Sequence, residues 1–493
     1  MDCKQAFAQG SKALNGRLIA PYQREGVMWM LYREINPGHH AGGFLCDEMG
    51  LGKTVQSIAV MLGNPGKTLV VVPKSVLFQW KDEINKFAPD LNVLVHDGVG
   101  RTNDYRDFEE YDVVVTPYSL LTERGKPKGT LTVLHKIHWH RIMLDEGHEI
   151  RNRSSKVSQA AKNLRGKNRW VITGTPVFNS MKDFVSLCEF VGIDRSIVQG
   201  MTDKIRDTYI LRRTKEDVAR FNKRLELPPC EFENVELEMY EEEKKMYSTV
   251  YEESRGIVKD IFTNSQNVAM HMMHILECFL RCRQTMIHPQ MYIDGVAKKK
   301  DNDPDLWEYP LRKMDALRDM IKSHPKEKSL VFTQFSGEMD AIHEMFSKEN
   351  MKVFRLDGSV SQEGRKIQVA EFRKCTSPCV FLIQIKAGGV GLNLQEATRV
   401  YITAPSWNPA TELQAIGRAH RTGQSNKVIV KKLYYKGTED CPSIEETIMS
   451  LQNHKSTVCA EVLNDPRITE KIPMSKQARS GVTIRDLGKI FSA

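Results

Sequence analysis

The chain has 493 residues, of which 41% are hydrophobic and 27% are charged, a composition typical of a globular protein with two or three domains. No run of about 18 apolar residues occurs in it, which argues against a membrane-spanning helix, and the first residues lack the apolar core of a signal peptide. Lysine and arginine number 71 against 62 acidic residues, so the net charge of +9 permits a polyanionic partner without proving one.

The first predicted strand, at residues 43–46, leads into a turn that contains Gly50 and Gly52 and then into a helix-like run. Glycines at these positions let backbone N–H groups point at phosphate oxygens, and the helix presents its positive N-terminal end to them. Lys53 would reach the β- and γ-phosphates of a nucleotide, and Thr54 would hold Mg²⁺. Because a Gly-x-Gly-Lys-Thr pattern also arises by chance, this phosphate-loop interpretation needs further motifs.

A buried strand predicted at residues 142–144 ends in Asp145 and Glu146. Asp145 is placed to bind Mg²⁺ through water, and Glu146 to orient or deprotonate the water that attacks the nucleotide. The alternative is a solvated acidic turn, which is preferred for an isolated Asp-Glu pair. The phosphate loop upstream reverses that preference.

The next strand, at residues 171–173, runs into a polar turn where Thr173 and Thr175 are candidates for sensing the γ-phosphate, although an ordinary strand end is the alternative. Further strands are predicted at residues 68–72 and 113–116, with helical stretches between them. Such alternation predicts a parallel sheet covered by helices, with the phosphate site at the carboxyl ends of the strands.

Between residues 221 and 310 the composition shifts to glutamate, lysine, methionine and histidine, which predicts helical protrusions and a charged linker. His271, His274, Cys278 and Cys282 fall on one helical stripe. We expect an inward-packed helix face there and no structural zinc, because such zinc usually takes ligands from two elements. The ten scattered cysteines are interpreted as reduced thiols of an intracellular protein.

A second set of strands is predicted at residues 329–333, 353–356, 380–384, 400–403 and 428–435. Arg418 and Arg421 then follow on what reads as a helix, share one face, and are candidate arginine fingers for a phosphate that gains charge during transfer. A solvated basic face is the usual alternative at this spacing. The basic strip at residues 418–436 contains six basic residues and no acidic one, which suits either polynucleotide phosphates or a solvated edge.

As an ordered set, these motifs resemble those of the SWI/SNF-type DNA-dependent ATPases, which are built on the two-lobed engine of superfamily two helicases. The segments that carry the resemblance are residues 18–30, 47–56, 69–80, 112–119, 145–148, 170–176, 210–218, 329–336, 356–359, 387–394, 406–409 and 414–424. It implies an α/β fold with two RecA-like parallel-sheet lobes, a P-loop helicase fold with helical insertions. The implied division is an ATP-binding lobe at 1–220, helical protrusions and a linker at 221–310, a helicase lobe at 311–460 and a basic tail at 461–493.

The resemblance implies an ATP hydrolase that uses ATP and Mg²⁺ to move along double-stranded DNA and remodel protein–DNA complexes such as nucleosomes, transcription or repair complexes, without strand separation. Gln23 would contact adenine, Gly391 would contact the nucleotide, and the strand and turn at residues 69–80 would face DNA. A nuclear location and no membrane partner are expected. Two alternatives stay open: a strand-separating DNA or RNA helicase, and a catalytically weak transcriptional cofactor that retains the fold.

A narrower resemblance rests on residues 145–152 and on the tail at 483–491, which are similar to the RING-finger translocases of post-replication repair, although no RING is visible ahead of the second lobe. A compact member without that insertion resembles the transactivator-type ATPases of large DNA viruses. Gln384 and Ala404 depart from the family pattern, which usually has a small hydroxyl residue and an aspartate there. These departures bear on coupling rather than on the ATPase residues.

Overall fold

The computed structural model describes the chain except for residues 1, 17, 19, 124, 126–129, 175–180, 220–226, 265–267, 388–391, 422, 464–490 and 492–493. The chain forms two compact units, Met1–Glu226 with Val458–Asp465 and Leu227–Thr457 with Pro466–Ala493. None of the described helices is both long and apolar enough to span a bilayer.

The first unit is built on a parallel sheet. Its strands are β1 (Gly42–Leu45), β2 (Thr68–Val72), β3 (Val93–Val95), β4 (Val113–Pro117), β5 (His138–Asp145), β6 (Arg165–Ile172) and β7 (Ile210–Leu211). They are arranged in the order β3-β4-β2-β5-β6-β1-β7, and all the pairs are parallel. Every residue of β2 and β4 is buried, which explains their nearly continuous apolar sequences.

Helices pack against this sheet: α1 (Cys3–Ala13), α2 (Pro21–Ile35), α3 (Lys53–Gly63), α4 (Leu77–Phe87), α5 (Lys156–Asn163), α6 (Met181–Val191), α7 (Arg195–Gly200), α8 (Thr202–Tyr209) and α9 (Lys215–Ala219). A fully buried ion pair holds α2 in place. Both carboxylate oxygens of Glu34 accept from Arg141 of β5 at 2.5 Å, and Trp170 of β6 donates its indole N–H to Glu34 at 2.8 Å. The pair therefore fixes α2, which carries Gln23 in its first turn, against the sheet.

The second unit has its own parallel sheet. Its strands are β8 (Cys230–Leu237), β9 (Ser329–Thr333), β10 (Lys352–Leu356), β11 (Cys379–Gln384), β12 (Arg399–Ile402) and β13 (Val428–Tyr435). They follow the order β10-β11-β9-β12-β13-β8, again with all pairs parallel. Two parallel sheets with packed helices confirm the predicted α/β class.

The helices of this unit are α10 (Glu241–Asn264), α11 (Met272–Ile287), α12 (Pro289–Lys300), α13 (Arg312–Lys322), α14 (Ser336–Lys348), α15 (Gln362–Lys374), α16 (Pro409–Ile416) and the first part of α17 (Ile444–Leu463). The inner faces of α10 and α11 join the same core. Tyr251 of α10 belongs to it, stacks on Phe491 with ring centroids 5.6 Å apart, and shares that core with Cys278 of α11.

One element of the segment at residues 221–310 differs from the helical prediction. Cys230–Leu237 forms β8 and pairs with β13 at the edge of the second sheet. Its sequence largely alternates apolar and acidic residues, which is typical of a strand with one exposed face. The acidic composition of the segment obscured that pattern, because the lysines that pair with these carboxylates lie far along the chain, on or next to β13.

Candidate nucleotide-binding site

The phosphate loop lies between the end of β1 and the start of α3. Gly50 and Gly52 have φ values of +93° and +77°, in the left-handed region that glycine adopts without strain. Helix α3 begins at Lys53, and among the described residues no side chain caps its N-terminus. The helix end and its N–H groups therefore offer a site that suits a phosphate group.

The side chain of Lys53 folds back over the loop, where its ammonium donates to the backbone oxygen of Asp47 at 2.8 Å. Gly174, which follows β6, borders the same space, since a Cβ placed on it would lie 3.9 Å from Lys53 Nζ. Thr54 is the second residue of α3 and is half-buried. The loop after β1 and the turn after β6 therefore approach each other at Lys53.

The carbonyl of Leu51 is a second fixed point of the loop. It accepts from the Tyr22 hydroxyl at 3.1 Å and from the side-chain amides of Gln23 and Gln56 at 3.4 Å each. A Cβ on Gly52 would lie 2.6 Å from Gln23 Nε2, so glycine at this position lets the amide approach. Gln23, the predicted adenine contact, thus lies directly beside the phosphate loop.

Asp47 stands in the loop with its carboxylate fully buried. Arg213 donates to both carboxylate oxygens, at 2.9 Å from Nε and 2.6 Å from Nη2, and also to the carbonyl of Tyr22. Gln56 Nε2 adds a third hydrogen bond to the carboxylate at 3.1 Å. Sequence reasoning assigned no role to Arg213, although its place in the family segment at residues 210–218 was an available signal.

Asp145 ends β5 and accepts hydrogen bonds from several sides. Its Oδ2 accepts from the Trp80 indole at 2.7 Å, its Oδ1 from the backbone N–H of Glu146 at 3.1 Å, and its carbonyl from the Tyr118 hydroxyl at 2.8 Å. Burial, and then the charge of Glu146, raises the pKa of Asp145 to about 6, while the Trp80 hydrogen bond and the Lys53 ammonium act in the opposite direction. The carboxylate is thus held in one orientation.

Glu146 has φ +48° and ψ +51°, a left-handed conformation that is uncommon for residues other than glycine and is typical of functional sites. Its Oε2 accepts from the hydroxyl of Thr173 at 3.4 Å and lies 3.4 Å from His148 Nδ1. The turns after β5 and β6 therefore meet at this carboxylate. Thr175 and Gly391, two other sequence candidates, lie outside the described residues.

The polar side chains near the loop offer oxygen atoms, the type of ligand that Mg²⁺ binds. Magnesium prefers oxygen ligands and usually binds through one or two carboxylates together with substrate phosphates. The hydroxyl of Thr54 on α3 and the carboxylate of Asp145 on β5 are oxygen donors of this type. We therefore keep them as the candidate magnesium residues.

Arg418 and Arg421 do not lie on a helix, so the prediction that they share a helix face is wrong. Helix α16 ends at Ile416, and both arginines follow in the turn beyond it, where the N–H of Arg418 bonds the carbonyl of Ala415 at 3.1 Å. Arg418 is 6% exposed, and Arg421 donates to the carbonyl of Leu392 at 3.3 Å. Both remain candidate catalytic residues, held by the turn rather than by a helix.

All four lysines of the basic strip are paired with carboxylates. The ion pairs are Lys427–Glu231 at 2.6 Å, Lys431–Glu233 at 3.0 Å, Lys432–Glu412 at 3.1 Å and Lys436–Glu236 at 2.8 Å. Three of the acidic partners belong to β8. The strip therefore carries little net positive charge, which favours a solvated edge over a phosphate-binding surface.

Of the stripe of histidines and cysteines near α11, only the two cysteines pack inward, so the prediction of an inward-packed face holds for them and not for His274. Cys278 and Cys282 are buried, and Cys282 Sγ lies 3.5 Å from the Ser254 hydroxyl of α10, whereas His274 is exposed. Across the part of the chain that the structure describes, no group of three or more acidic, histidine or cysteine side chains is placed to hold a metal.

The two parallel sheets, the phosphate loop after β1 and the acidic pair after β5 define the class of helicase-like P-loop ATPases. Residues 22–199 and 194–291 match the model of the SNF2-related domain, and residues 312–423 match the helicase conserved C-terminal domain. The chain therefore belongs to the SNF2-related family of helicase-like ATPases, which confirms the resemblance that its motifs carry.

The names of similar proteins refer to DNA repair and to transcription. The DNA repair protein RAD5B of Arabidopsis thaliana is 27% identical over 87% of this chain and 46% of its own length. The helicase-like transcription factor of Homo sapiens is 28% identical over 80% of this chain and 50% of its length, so the chain spans about half the length of these relatives. The SWI2/SNF2 ATPase core of Sulfolobus solfataricus, solved in complex with dsDNA, is 30% identical, covers 93% of this chain and 96% of that one, and has a TM-score of 0.39.

Proposed function

We propose that this chain is an ATP-dependent translocase on double-stranded DNA that uses hydrolysis to remodel protein–DNA complexes without separating the strands. One observation carries the proposal: the loops after β1, β5 and β6 come together at the carboxyl edge of the first sheet. Gly174 borders Lys53, and Thr173 bonds Glu146. Hydrolysis of a nucleoside triphosphate requires a phosphate cradle and a water-positioning carboxylate in this relation.

In the proposed reaction Lys53 and the first N–H groups of α3 bind the β- and γ-phosphates, and Gln23 contacts the adenine. Glu146 orients or deprotonates the water that attacks the γ-phosphorus, and ADP leaves with the bridging oxygen. Thr54 and Asp145 would hold Mg²⁺, which supplies charge neutralisation at the phosphate oxygens.

Arg418, Arg421 and Gly391 form the proposed contribution of the second unit. A guanidinium group is always charged and presents several donors in a rigid fork, which suits the charge that spreads over a phosphoryl group during transfer. Arg418 and Arg421 are therefore the proposed arginine fingers, and Gly391 is a proposed nucleotide contact.

Duplex DNA is the proposed polymer because the Sulfolobus relative was solved in complex with dsDNA. Relatives named for DNA repair and transcription, together with a chromatin-remodeling ATPase, support nucleosomes and transcription or repair complexes as targets. The proposed compartment is the nucleus, whether of the source cell or of a host cell.

A triplex-displacement assay on duplex DNA tests the proposal. We expect release of the third strand that depends on ATP, DNA-stimulated hydrolysis, and no strand separation on a forked duplex. Unwinding of a protein-free fork would instead indicate a strand-separating helicase. Absence of hydrolysis with and without duplex DNA would indicate a cofactor that retains only the fold.

A further inference from the structure

Two cysteines contact each other in the second unit, at the junction between α15 and β11. Cys375 directly follows the last residue of α15, and Cys379 is the first residue of β11. Both are free thiols, and they are within hydrogen-bonding reach of each other. The fold therefore brings together two sulfur atoms that belong to two different elements.

The two thiols differ in exposure and in acidity. Cys375 is half-buried, whereas Cys379 is 1% exposed. Burial by itself would raise the pKa of the Cys375 thiol, but its hydrogen bonds with Ser377 and with the second thiol, together with the charge of a nearby lysine, lower that pKa below its usual value. Burial, followed by the contact with Cys375, raises the pKa of Cys379 to about 12. Cys375 is therefore the more accessible thiol and the more readily ionised one, and the thiolate is the reactive form.

The surroundings of Cys375 hold its sulfur in place. The thiol donates to the carbonyl of Ser377 at 3.5 Å, and the Ser377 hydroxyl lies 3.3 Å from the same sulfur, where it can donate to a thiolate. Lys352 of β10 is the partner of Cys379 in the sheet register, and Lys328 donates to a carbonyl in the last turn of α15 at 2.7 Å. The charges of both lysines act on the pair, and a positive, partly exposed environment of this kind is typical of reactive cysteines.

A bond between the two sulfur atoms requires only a small movement. A disulfide needs its sulfurs about 2.05 Å apart, so two sulfurs already in contact must approach a little further. The connecting residues 376–378 are exposed, and a cavity of about 140 Å³ borders Pro378 and Cys379. The connection therefore has room to adjust while β11 stays in the sheet.

We propose that Cys375 and Cys379 form a peroxide-sensitive dithiol, in which Cys375 is the attacking thiol and Cys379 is the resolving thiol. The Cys375 thiolate attacks one oxygen of hydrogen peroxide, a sulfur–oxygen bond forms, the oxygen–oxygen bond breaks, and the departing hydroxide takes up a proton as water. The Cys379 sulfur then attacks the sulfenic acid, the disulfide forms, and the second hydroxide leaves with the Cys379 proton as water. The two thiols together lose two electrons, which reduce one peroxide molecule to two water molecules.

The test is treatment of the full 493-residue chain with hydrogen peroxide, then alkylation of the remaining thiols in denaturant and mass analysis of tryptic peptides. Trypsin cleaves after Lys374 and Lys386, so both cysteines fall in the peptide 375–386. We expect this peptide to lose both alkyl adducts and to be lighter by two hydrogen atoms than its reduced, unalkylated form. A dithiol reductant added before alkylation should restore both adducts. In Cys375→Ser, Cys379 should stay alkylated after the same treatment.

Cys278 and Cys282 of α11 are the matched control within the same chain, because they have the same spacing and burial raises the pKa of both thiols. They should remain alkylated at the peroxide concentration that oxidises Cys375. Retention of both adducts on the peptide 375–386 overturns the inference, and so does a sulfinic acid at Cys375 beside an alkylated Cys379, or equal oxidation of the α11 pair. If Cys375→Ser does not fold, the peptide from the unmodified chain decides.

Discussion

The guanidinium group of Arg213 binds both carboxylate oxygens of Asp47 and thereby ties the segment after β7 to the phosphate loop. The side chain of Asp47 is fully buried and that of Arg213 is 12% exposed. Asp47→Asn would leave the arginine charge without its counter-ion, so we expect the free energy of unfolding to fall by about 3–5 kcal/mol. Nucleotide affinity should also fall, because the Asp47 backbone positions Lys53.

Urea denaturation and titration with a fluorescent ATP analogue measure these two effects. Asp104→Asn is the matched control, since it breaks a comparable bidentate pair with Arg106 on the surface of the same unit. Exposed pairs contribute little to stability, so this variant should retain unmodified stability and affinity. Equal losses in the two variants would contradict a special role for the buried pair.

Gly26 of α2 leaves room for the same network. A Cβ on it would collide with Gln56 Oε1 and lie 2.6 Å from Arg213 Nη2. We expect Gly26→Ala to lower the free energy of unfolding by about 1–3 kcal/mol through overpacking, and to weaken nucleotide binding in the same assays. Gly200→Ala at the end of α7 places its methyl group in open space and should leave nucleotide affinity unchanged. A Gly26→Ala variant that binds nucleotide as tightly as the unmodified chain would contradict this prediction.

Replacing Lys53 and replacing Glu146 should have different effects on ATP binding and ATP hydrolysis. Lys53→Ala removes the cation at the start of α3, so both ATP binding and hydrolysis should be nearly lost. Glu146→Gln keeps the size of the side chain but removes its basicity, and hydrolysis should be lost while ATP binding persists. Parallel measurements of turnover and of ATP dissociation constant separate the two. Substantial turnover by Glu146→Gln would exclude Glu146 as the water-positioning carboxylate.

His96, which follows β3, makes the stability of the first unit depend on pH. Its side chain is 3% exposed and packs on Phe108, and burial, followed by the charge of Arg101, lowers its pKa to about 4. The folded pKa lies below the unfolded value of about 6.5. The stability contribution of the neutral ring is therefore complete above about pH 6.5 and is lost as the pH falls toward about 4.

The loss from this histidine amounts to at most about 3 kcal/mol across that window. His96→Phe should remove this part of the acid sensitivity, which urea denaturation at a series of pH values measures. The exposed His138 serves as the control, since His138→Gln should retain the unmodified profile. If the free energy of unfolding depends on pH in the same way in His96→Phe and in the unmodified chain, the prediction is wrong.

The paired lysines of the basic strip should contribute little to DNA binding. Lys427 and Lys436 already contact carboxylates of β8, so replacing both with glutamine should leave DNA affinity and its salt dependence unchanged. The side chain of Lys74, on the turn expected to face DNA, is 72% exposed, and its own ion pair with Asp97 is longer, at 3.6 Å. Lys74→Gln should lower the slope of log affinity against log salt by about 0.9. A smaller slope of log affinity against log salt in the variant with both Lys427 and Lys436 replaced would indicate that the basic strip contacts DNA.

Strand positions in this chain could be predicted from local sequence. The predictions at residues 68–72, 329–333 and 428–435 coincide with β2, β9 and β13. These strands are buried runs of apolar residues, or alternate with a period of two, and neither signal depends on distant residues. The β8 strand was missed because its glutamates suggested a solvated helix, and the strand with which it pairs, β13, lies about 200 residues further along the chain.

The turn that carries Arg418 shows a second limit of local patterns. Helix α16 ends at Ile416 and is capped by Gly417, a residue of low helix propensity that the spacing of the arginines did not take into account. The carbonyl of Arg418 accepts from the N–H of Leu394 at 3.0 Å, a tertiary hydrogen bond that a continuing helix would not offer. Their spacing of three residues therefore does not place Arg418 and Arg421 on one helix face.

The sequence by itself determined the family, the order of the motifs and the position of most strands, because glycine spacing, acidic pairs and apolar periodicity are written in neighbouring residues. Only the tertiary structure decided which side chains hold those motifs. Arg213 reaches Asp47 across 166 residues of chain and Trp80 reaches Asp145 across 65. The physical reason is that the order of strands in the sheet, and not distance along the chain, determines which loops share an edge.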